Sequence, residues 1–366
     1  MSTATAEKII ETHAVSKRFS GRKRFFGPAI SVSAVNEVSL EIRRGETFSI
    51  VGESGCGKST FARLLVRLLQ PTSGAVIYDG NDISDLSEKE MRRLRKDLQF
   101  IFQDPFSSLN PRMTVGALIE EPMKVHTALS RTERRKKVAD LLKKVGLRPA
   151  LANRYPHEFS GGQRQRIGIA RALASGPRVI VGDEPVSALD VSVQAQVINL
   201  LEDLKAEFDL TLILIAHDLA VIRHMSDRVA VMYLGEVVEL APNDALYDRP
   251  LHPYTQALMR AIPIPSPRSR SMKATLAGDV PSPLAPPSGC RFHPRCPHAS
   301  SICGSKKPEL AETGTGRSVA CHHWEKIAET PPDSAREPER SIAAEKRFAL
   351  FRERSQQQEP MTASPS

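Results

Sequence analysis

The run Gly52-Glu-Ser-Gly-Cys-Gly-Lys-Ser59 constrains this chain more than any other feature of its sequence. It follows Thr47-Phe-Ser-Ile-Val51, which predicts a strand, and precedes residues 58–70, whose apolar positions have helical spacing. Glycines let the backbone approach phosphate oxygens closely, and N–H groups at a helix N-terminus supply positive potential. A strand, this loop and a helix in that order predict a phosphate-binding loop, or P-loop. A purely structural glycine-rich turn is the alternative.

The side chains of this loop indicate which phosphate site it is. Lys58 can reach the β- and γ-phosphates of a nucleotide, and the Ser59 hydroxyl is placed to ligate Mg²⁺. Cys56 is interpreted as a small residue that fills space within the loop. We therefore predict that ATP and Mg²⁺ bind to the segment Gly52, Glu53, Ser54, Gly55, Cys56, Gly57, Lys58, Ser59 and Thr60.

A second run, Val179-Ile-Val-Gly-Asp-Glu-Pro185, predicts a buried strand that ends in two carboxylates. Asp183 would hold Mg²⁺, directly or through water. Glu184 would point to the other side because side chains alternate along a strand, and there it could polarise the attacking water. An acidic N-cap for the next helix is the alternative.

Length and composition limit the remaining possibilities. The chain has 366 residues, of which 40% are hydrophobic, enough for one large α/β domain with an appended piece. The formal charge of +9 fits nucleic acid, an anionic membrane surface or a nucleotide, and does not choose between them. We find no signal peptide and no apolar run near the ~18 residues of a spanning helix, so we expect a cytosolic protein that reaches a membrane only through a partner.

Residues Phe159-Ser-Gly-Gly-Gln163 open a predicted helix and resemble the signature of ABC ATPases, usually Leu-Ser-Gly-Gly-Gln, with Phe159 in place of the leading Leu. A second anion-binding helix terminus is redundant if each chain closes its own site. The resemblance implies that two ATPase domains pair head to tail, so that the signature of one covers the γ-phosphate bound by the other. The signature residues are Ser160, Gly161, Gly162 and Gln163.

The other marks of this superfamily occur in the expected order. Gln103 resembles the Q-loop glutamine, which senses Mg²⁺ and contacts the transmembrane partner, and Ser187-Ala-Leu-Asp190 resembles the D-loop, which acts across the dimer. His217 resembles the switch histidine that contacts the γ-phosphate. Phe19 resembles the aromatic residue that stacks on adenine, with an ordinary core phenylalanine as the alternative. With Glu184, residues Gln103 and His217 would form the catalytic group, and Gln103 would join Ser59 and Asp183 around Mg²⁺.

Longer phrases are similar to the ATPase subunits of oligopeptide/dipeptide importers. They include residues 103–113, residues 184–192, His252-Pro-Tyr-Thr-Gln-Ala-Leu258 and Gly289-Cys-Arg-Phe-His-Pro-Arg-Cys-Pro297. The resemblance implies ATP-driven uptake of peptides or related small solutes. It implies three kinds of partner: a second ATPase subunit, identical or paralogous; two integral membrane permease subunits; and an extracytoplasmic solute-binding protein. No direct contact with nucleic acid is expected. The expected location is the cytoplasmic face of the inner or plasma membrane.

Four cysteines, Cys290, Cys296, Cys303 and Cys321, fall in one C-terminal segment with the spacing C-x5-C-x6-C-x17-C. In a cytosolic chain such clustering favours metal binding over disulfides. In the importer family a cluster of this kind can ligate a [4Fe–4S] centre. Four thiolates suit zinc equally, and nearby histidines could substitute as ligands: His293, His298, His322 and His323. We expect a structural role, with ATP binding independent of this unit.

The predicted fold class is α/β: a RecA-like P-loop ATPase core with an antiparallel β edge, a helical subdomain insertion and a small C-terminal Cys module. The predicted domains are the core at 9–103 and 160–245, the helical subdomain at 104–159, the C-terminal module at 246–324 and a disordered tail at 325–366.

Two other functions compete with transport. A soluble ABC ATPase acting on nucleic acid would use the positive charge, but such proteins usually carry a long insertion or two cassettes. Here 56 residues separate Gln103 from Ser160, and there is one P-loop. A regulatory subunit without turnover is the third possibility, against which Glu184 and His217 are both present.

Overall fold

The computed structural model describes residues 7–20, 31–104, 106–217, 219–261, 281–314 and 316–329. The strands are β1 (Lys8–Ser20), β2 (Ser31–Arg43), β3 (Thr47–Val51), β4 (Ser73–Tyr78), β5 (Asn81–Asp82), β6 (Leu98–Ile101), β7 (Val179–Asp183), β8 (Thr211–Ala216), β9 (Arg228–Tyr233), β10 (Glu236–Pro242), β11 (Ala311–Gly314) and β12 (Arg317–Val319). The helices are α1 (Lys58–Leu65), α2 (Glu88–Leu94), α3 (Val115–His126), α4 (Arg131–Lys144), α5 (Gly161–Leu173), α6 (Val191–Phe208), α7 (Leu219–Ile222), α8 (Asn243–Asp248), α9 (Pro253–Arg260), α10 (Ser301–Ser305) and α11 (Trp324–Glu329).

The larger sheet carries the predicted parallel core. Its strand order is β11-β12-β10-β9-β3-β8-β7-β6, and the run from β9 to β6 is parallel. Strands β3 and β7 are buried along their whole length, as expected for parallel strands covered on both faces. The carboxyl ends of β3, β6, β7 and β8 therefore meet at one edge, where ligands bind in open α/β sheets.

The second sheet is antiparallel, in the order β2-β1-β4-β5. Its apolar face shares one core with α1 and β3, which includes Ile10, Leu40, Phe48, Phe61 and Leu64. This sheet supports the helix that begins at the P-loop. The α/β class with an antiparallel β edge is confirmed.

Helices α3 and α4 lie within residues 104–159, the segment predicted to be helical. Ser130 and Glu133 form a capping box at the start of α4, which buries Val138, Leu141 and Leu142. These side chains pack in one cluster with Ile167 of α5. The helical segment is thus attached to the sheet mainly through α5.

The C-terminal segment continues the main sheet. Leu240 of β10 pairs with Ser318 of β12 in an antiparallel ladder. Behind this ladder the carboxylate of Glu239, which has no exposed surface, accepts bonds from the backbone N–H groups of Leu251 at 2.8 Å and His252 at 2.9 Å. Burial raises the pKa of Glu239. This strand addition was not predicted from the sequence.

Several predicted boundaries were wrong. Helix α1 ends at Leu65 instead of residue 70, because Arg67 adopts a left-handed φ of 56° and the N–H of Leu68 bonds back to Arg63 O at 2.8 Å. The tail predicted to be disordered from residue 325 begins with α11, in which Ile327 is buried. Residues 262–280 and 330–366 lie outside the described residues.

Candidate functional site

The P-loop follows a path that only glycine permits at two positions. Gly52 has a φ of 152°, and a Cβ there would lie 2.2 Å from Met232 O. Gly57 has a φ of 104°, and its Cβ would lie 2.1 Å from Ala34 O. The loop is therefore pressed against neighbouring backbone, while Gly55 at its crest has open space around it.

Lys58 and Ser59 lie at the start of α1, as the motif predicts. The buried Lys58 ammonium donates to Gly52 O at 2.7 Å and to Glu53 O at 2.9 Å. Ser59 Oγ donates to Asp183 Oδ1 at 2.7 Å. The hydroxyl and the carboxylate therefore lie close enough to share one cation.

Asp183 fits a cation ligand in a further respect. Its Oδ2 is buried without a hydrogen-bond partner among the described residues, and its nearest cationic neighbour is Arg63 at 3.6 Å. Burial raises the pKa of this carboxyl, against the hydrogen bond from Ser59. A buried carboxylate with a free oxygen is stabilised when a cation binds to it.

The other residues of the loop divide between surface and core. Ser54 and Gly55 are exposed, whereas Gly57, Ser59 and Thr60 are half-buried. Cys56 is 4% exposed and belongs to the apolar core beneath the loop, and burial raises the pKa of its thiol. Its packing agrees with a space-filling residue.

Three predicted residues converge beyond β6, β7 and β8. Gln103 Nε2 donates to Glu184 Oε2 at 2.9 Å, and His217 Nδ1 lies 3.5 Å from the same oxygen. The amide of Gln103 is thus used on Glu184 in this structure. Its predicted contact with Mg²⁺ stays a prediction.

The expected reason for the direction of Glu184 was wrong. Strand β7 ends at Asp183, and Glu184 has a left-handed φ of 47°, so alternation along the strand does not set its direction. A non-glycine residue in this conformation is strained. The N–H of Glu184 donates to Ile215 O at 3.1 Å, which anchors the turn to β8.

The signature residues form the N-terminus of α5. Ser160 is exposed and caps the helix: its Oγ accepts from Gln163 N at 3.4 Å, and its own N–H donates to Gln163 Oε1 at 3.0 Å. A Cβ on Gly162 would lie 2.5 Å from the Val193 side chain. Gly161 faces Leu189, so the signature packs against the segment around the exposed Asp190.

Phe19 lies on the surface near the end of β1. Its side chain is 42% exposed, and Lys17 Nζ lies 5.4 Å from the ring centroid. The alternative of a core phenylalanine was therefore wrong. An exposed ring has a face available for stacking.

The four C-terminal cysteines are near enough to influence one another. Burial raises the pKa of Cys290 to about 11 and that of Cys321 to about 12, and neighbouring thiols of the group add to both shifts. Backbone N–H groups directed at the sulfurs oppose part of this rise. His323 N lies 3.4 Å from Cys321 Sγ, and similar bonds run from Phe292 to Cys290 and from His298 to Cys296, although burial keeps the pKa of both thiols raised. Such donors favour thiolates.

A single metal ion has no ready site here. Within the described part of the chain, no group of three or more His, Cys, Asp or Glu side chains could hold one. Three of the candidate histidines have other partners, namely Cys290 O for His293, Lys306 O for His322 and Ser300 Oγ for His323. The arrangement does not support zinc bound by cysteine and histidine.

Two residues missed from the sequence touch the P-loop. Tyr254 Oη accepts from Glu53 N at 2.7 Å, and the Arg295 guanidinium bonds to the Glu53 carboxylate at 2.8 and 3.1 Å. Both lie within phrases that resemble the importer family, but nothing in those phrases pointed to the ATP site. The C-terminal unit therefore contacts the P-loop, whereas the expectation that ATP binding is independent of this unit stays a prediction.

Two family models match the chain. The model described as ABC transporter matches residues 35–187, and the model described as oligopeptide/dipeptide transporter, C-terminal region, matches residues 238–303. Among curated proteins, the oligopeptide transport ATP-binding protein AppF of Bacillus subtilis is 53% identical over 88% of this chain and 99% of its own length. The protein OppF of Escherichia coli, with the same description, is 54% identical over 82% of this chain and 91% of its own.

Solved structures agree with these matches. The ATP-binding cassette MJ0796, in a dimeric post-hydrolysis state bound to ADP and Pi, superposes with a TM-score of 0.58 and 34% identity. The match covers 64% of this chain and 99% of that one. Among the helices described here, none is long and apolar enough to cross a bilayer.

Proposed function

Because this chain belongs to the ABC transporter family, as the ATP-binding subunit of an oligopeptide/dipeptide-type importer, we propose that it supplies half of each composite ATP site. Its P-loop, Asp183 and Glu184 form one half, and the signature helix α5 of a second ATPase chain forms the other. The protein is an ATPase. The alternative of an ABC ATPase acting on nucleic acid is disfavoured by relatives that are peptide transport proteins.

The contact between Ser59 and Asp183 is the observation that carries the ATP half-site. Mg²⁺ held there would neutralise charge on the β- and γ-phosphates. Lys58 would exchange its bonds to the loop carbonyls for phosphate oxygens, and the backbone of residues 52–60 would line the phosphates. The exposed ring of Phe19 would stack on adenine.

Glu184 is the proposed base that polarises the attacking water. The Gln103 amide orients its carboxylate from one side, and His217 lies on the same oxygen from the other. The left-handed turn at Glu184 fixes the backbone from which this side chain extends at the sheet edge. His217 would also contact the γ-phosphate once ATP is bound.

The second half-site would come from residues 160–163 of a partner chain, identical or paralogous. Ser160 is exposed at a helix N-terminus, the position that suits an anion. The Ser187 hydroxyl donates to Glu184 O at 3.1 Å, so the segment ending at Asp190 is tied to the catalytic residue. Movement at the dimer interface would thereby reach the hydrolysis centre.

Residues 104–159 are the proposed contact with two membrane permease subunits. Phe106 follows the Gln103 segment and is 59% exposed, and Arg164 lies 4.0 Å from its ring centroid. This contact would hold the chain at the cytoplasmic face of the membrane, and an extracytoplasmic binding protein would deliver the solute. In this proposal the chain is divided into an ATPase core at 9–103 and 160–245 and a C-terminal module at 246–324.

The four cysteines are the proposed ligands of a [4Fe–4S] cluster. A cube of iron and sulfide separates its ligand sulfurs more widely than one ion does, so the absence of a single-ion site among the described residues leaves it open. Support comes from the closeness of the four thiols, since the other three each raise the pKa of Cys321. The backbone N–H of His323, 3.4 Å from Cys321 Sγ, adds to it. The cluster would compensate thiolates that are otherwise costly to bury.

A mixing experiment tests the composite site. Lys58→Ala chains and Ser160→Arg chains should each be inactive as homodimers, because every site has one lesion. Their heterodimer contains one intact site, so mixing should restore part of the ATPase activity if the chain self-associates. Lys58→Ala mixed with Asp183→Asn is the control, in which every site keeps a P-loop-side lesion. No recovery, in a sample shown to contain mixed dimers, contradicts the head-to-tail proposal.

A further inference from the structure

All three polar groups of Glu53, the second residue of the P-loop, have partners. Its N–H donates to Tyr254 Oη at 2.7 Å, its carbonyl accepts from Lys58 Nζ at 2.9 Å, and its carboxylate accepts two bonds from Arg295. Two of these partners come from the C-terminal segment. The position of Glu53 in the P-loop is therefore fixed in part by residues outside the motif, Tyr254 and Arg295.

Arg295 is built into its position. It is 8% exposed, it also reaches Tyr233 Oη at 3.4 Å, and its guanidinium lies 6.0 Å from the Phe292 ring centroid. Two parallel bonds between a guanidinium and a carboxylate fix direction as well as distance. The Arg295 side chain is shielded from water whereas that of Glu53 is partly exposed, so loss of the Glu53 carboxylate would leave a buried charge without its partner.

The cysteines lie on either side of this arginine. Arg295 ends the short turn His293–Arg295, with Cys290 before it and Cys296 directly after it. The N–H of Cys290 donates to Cys303 O at 2.8 Å, and the N–H of Cys296 bonds to His293 O at 3.2 Å. The cysteine segment thus sets the backbone that presents Arg295.

The segment that carries the cysteines makes a second contact with the P-loop. Arg291, in the same turn region, pairs with Glu236 at 3.2 Å and bonds to Leu234 O. The adjacent N–H of Gly235 donates to Cys56 O, inside the P-loop, at 2.7 Å. The segment carrying Cys290 and Cys296 therefore reaches the P-loop at both Glu53 and Cys56.

We propose that Arg295 is a positioning residue for ATP binding: held by the cysteine segment, it fixes Glu53 and so the phosphate cradle of the P-loop. An intact four-cysteine unit would then raise the affinity for ATP, although its residues do not contact the nucleotide. This inference rests on the proposal that the P-loop of this chain binds ATP. It predicts an effect on affinity that is separate from the chemical step, because Arg295 has no contact with Glu184.

The test measures ATP dissociation constants and steady-state ATPase kinetics on the full chain. Arg295→Gln should raise the Kd and KM for ATP about tenfold or more, as loss of a charge-assisted pair implies, and leave kcat at saturating ATP within about twofold. Arg295→Lys should restore part of the affinity. Cys296→Ser should act in the same direction and add little to Arg295→Gln, since both lesions lie on one path.

Arg317→Gln is the matched control. Arg317 is another largely buried arginine of the same segment, paired with the buried Glu239 at 3.4 Å and not with the P-loop. It should lower the melting temperature without raising the Kd for ATP. An equal rise in Kd for Arg317→Gln would overturn the inference by showing general destabilisation.

Two further results separate this inference from the function it rests on. If wild type binds ATP, Lys58→Ala does not, and Arg295→Gln binds as wild type, the inference is overturned and the ATP site stands. If wild type and Lys58→Ala bind alike, both are overturned. Should Arg295→Gln fail to fold, Glu53→Gln takes its place, and unchanged affinity there overturns the inference equally.

Discussion

The amide nitrogen of Gln103 lies 2.9 Å from the Glu184 carboxylate, which joins the ends of two neighbouring parallel strands. Gln103 precedes the helical segment, and Glu184 directly follows Asp183, the proposed cation ligand. His217, which follows strand β8, lies 3.5 Å from the same oxygen. A displacement of the helical segment would therefore change the orientation of the proposed catalytic carboxylate, which gives a physical basis for coupling transport to hydrolysis.

Gln103→Ala should impair hydrolysis more than binding. Removal of one hydrogen bond to a charged group predicts a decrease in kcat of about ten- to a hundredfold, with a small change in the Kd for ATP. Gln99→Ala is the matched control, because Gln99 lies on β6, the strand that leads to Gln103, and bonds to Arg95 O instead. Equal effects of the two substitutions would contradict a specific role for Gln103.

Phe19→Ala should weaken ATP binding through the base. Stacking of a base on an aromatic ring predicts an increase in Kd of about ten- to a hundredfold, with little loss of stability since the ring is exposed. Titration with a fluorescent ATP analogue measures it. Phe106→Ala, at another exposed phenylalanine, should leave the Kd unchanged. A Phe19→Ala chain that binds ATP like wild type would exclude stacking.

Protein purified without oxygen should contain about four irons per chain, as a Cys₄ [4Fe–4S] site requires. Cys290→Ser or Cys303→Ser should remove the iron, whereas Cys56→Ser, in the P-loop, should keep it. Metal analysis and the visible spectrum measure both. Colourless protein with about one tightly bound zinc would replace the cluster by a structural zinc, and metal-free protein would leave the cysteines as packing residues.

The candidate catalytic edge of the sheet could be predicted because its determinants are local. Each motif combines a buried strand with the polar residue that follows it, and parallel strands bring their carboxyl ends to one edge. Gln103 and His217 were assigned through the resemblance to ABC ATPases, whereas Asp183 and Glu184 could be placed at this edge from their own strand pattern. The left-handed turn at Glu184 could not, since its cause is the bond to Ile215 on another strand.

The contacts of the C-terminal segment could not be predicted from sequence patterns. Its strand β12 is three residues long and too short to produce a periodic signal, yet it extends the main sheet through β10. The pairing of Glu53 with Arg295 spans 242 residues and depends entirely on that packing. Long-range ion pairs of this kind have no local signature, which explains why Arg295 was missed.

ATP turnover by Glu184→Gln tests the proposed role of this carboxylate in hydrolysis. The substitution keeps the shape of the side chain and removes the carboxylate that polarises water, so kcat should fall by at least about a hundredfold, while the ATP affinity persists and an ATP-bound dimer accumulates. Glu202→Gln, on helix α6, should turn over like wild type. A Glu184→Gln chain whose hydrolysis stays within a few-fold of wild type would contradict the proposed mechanism.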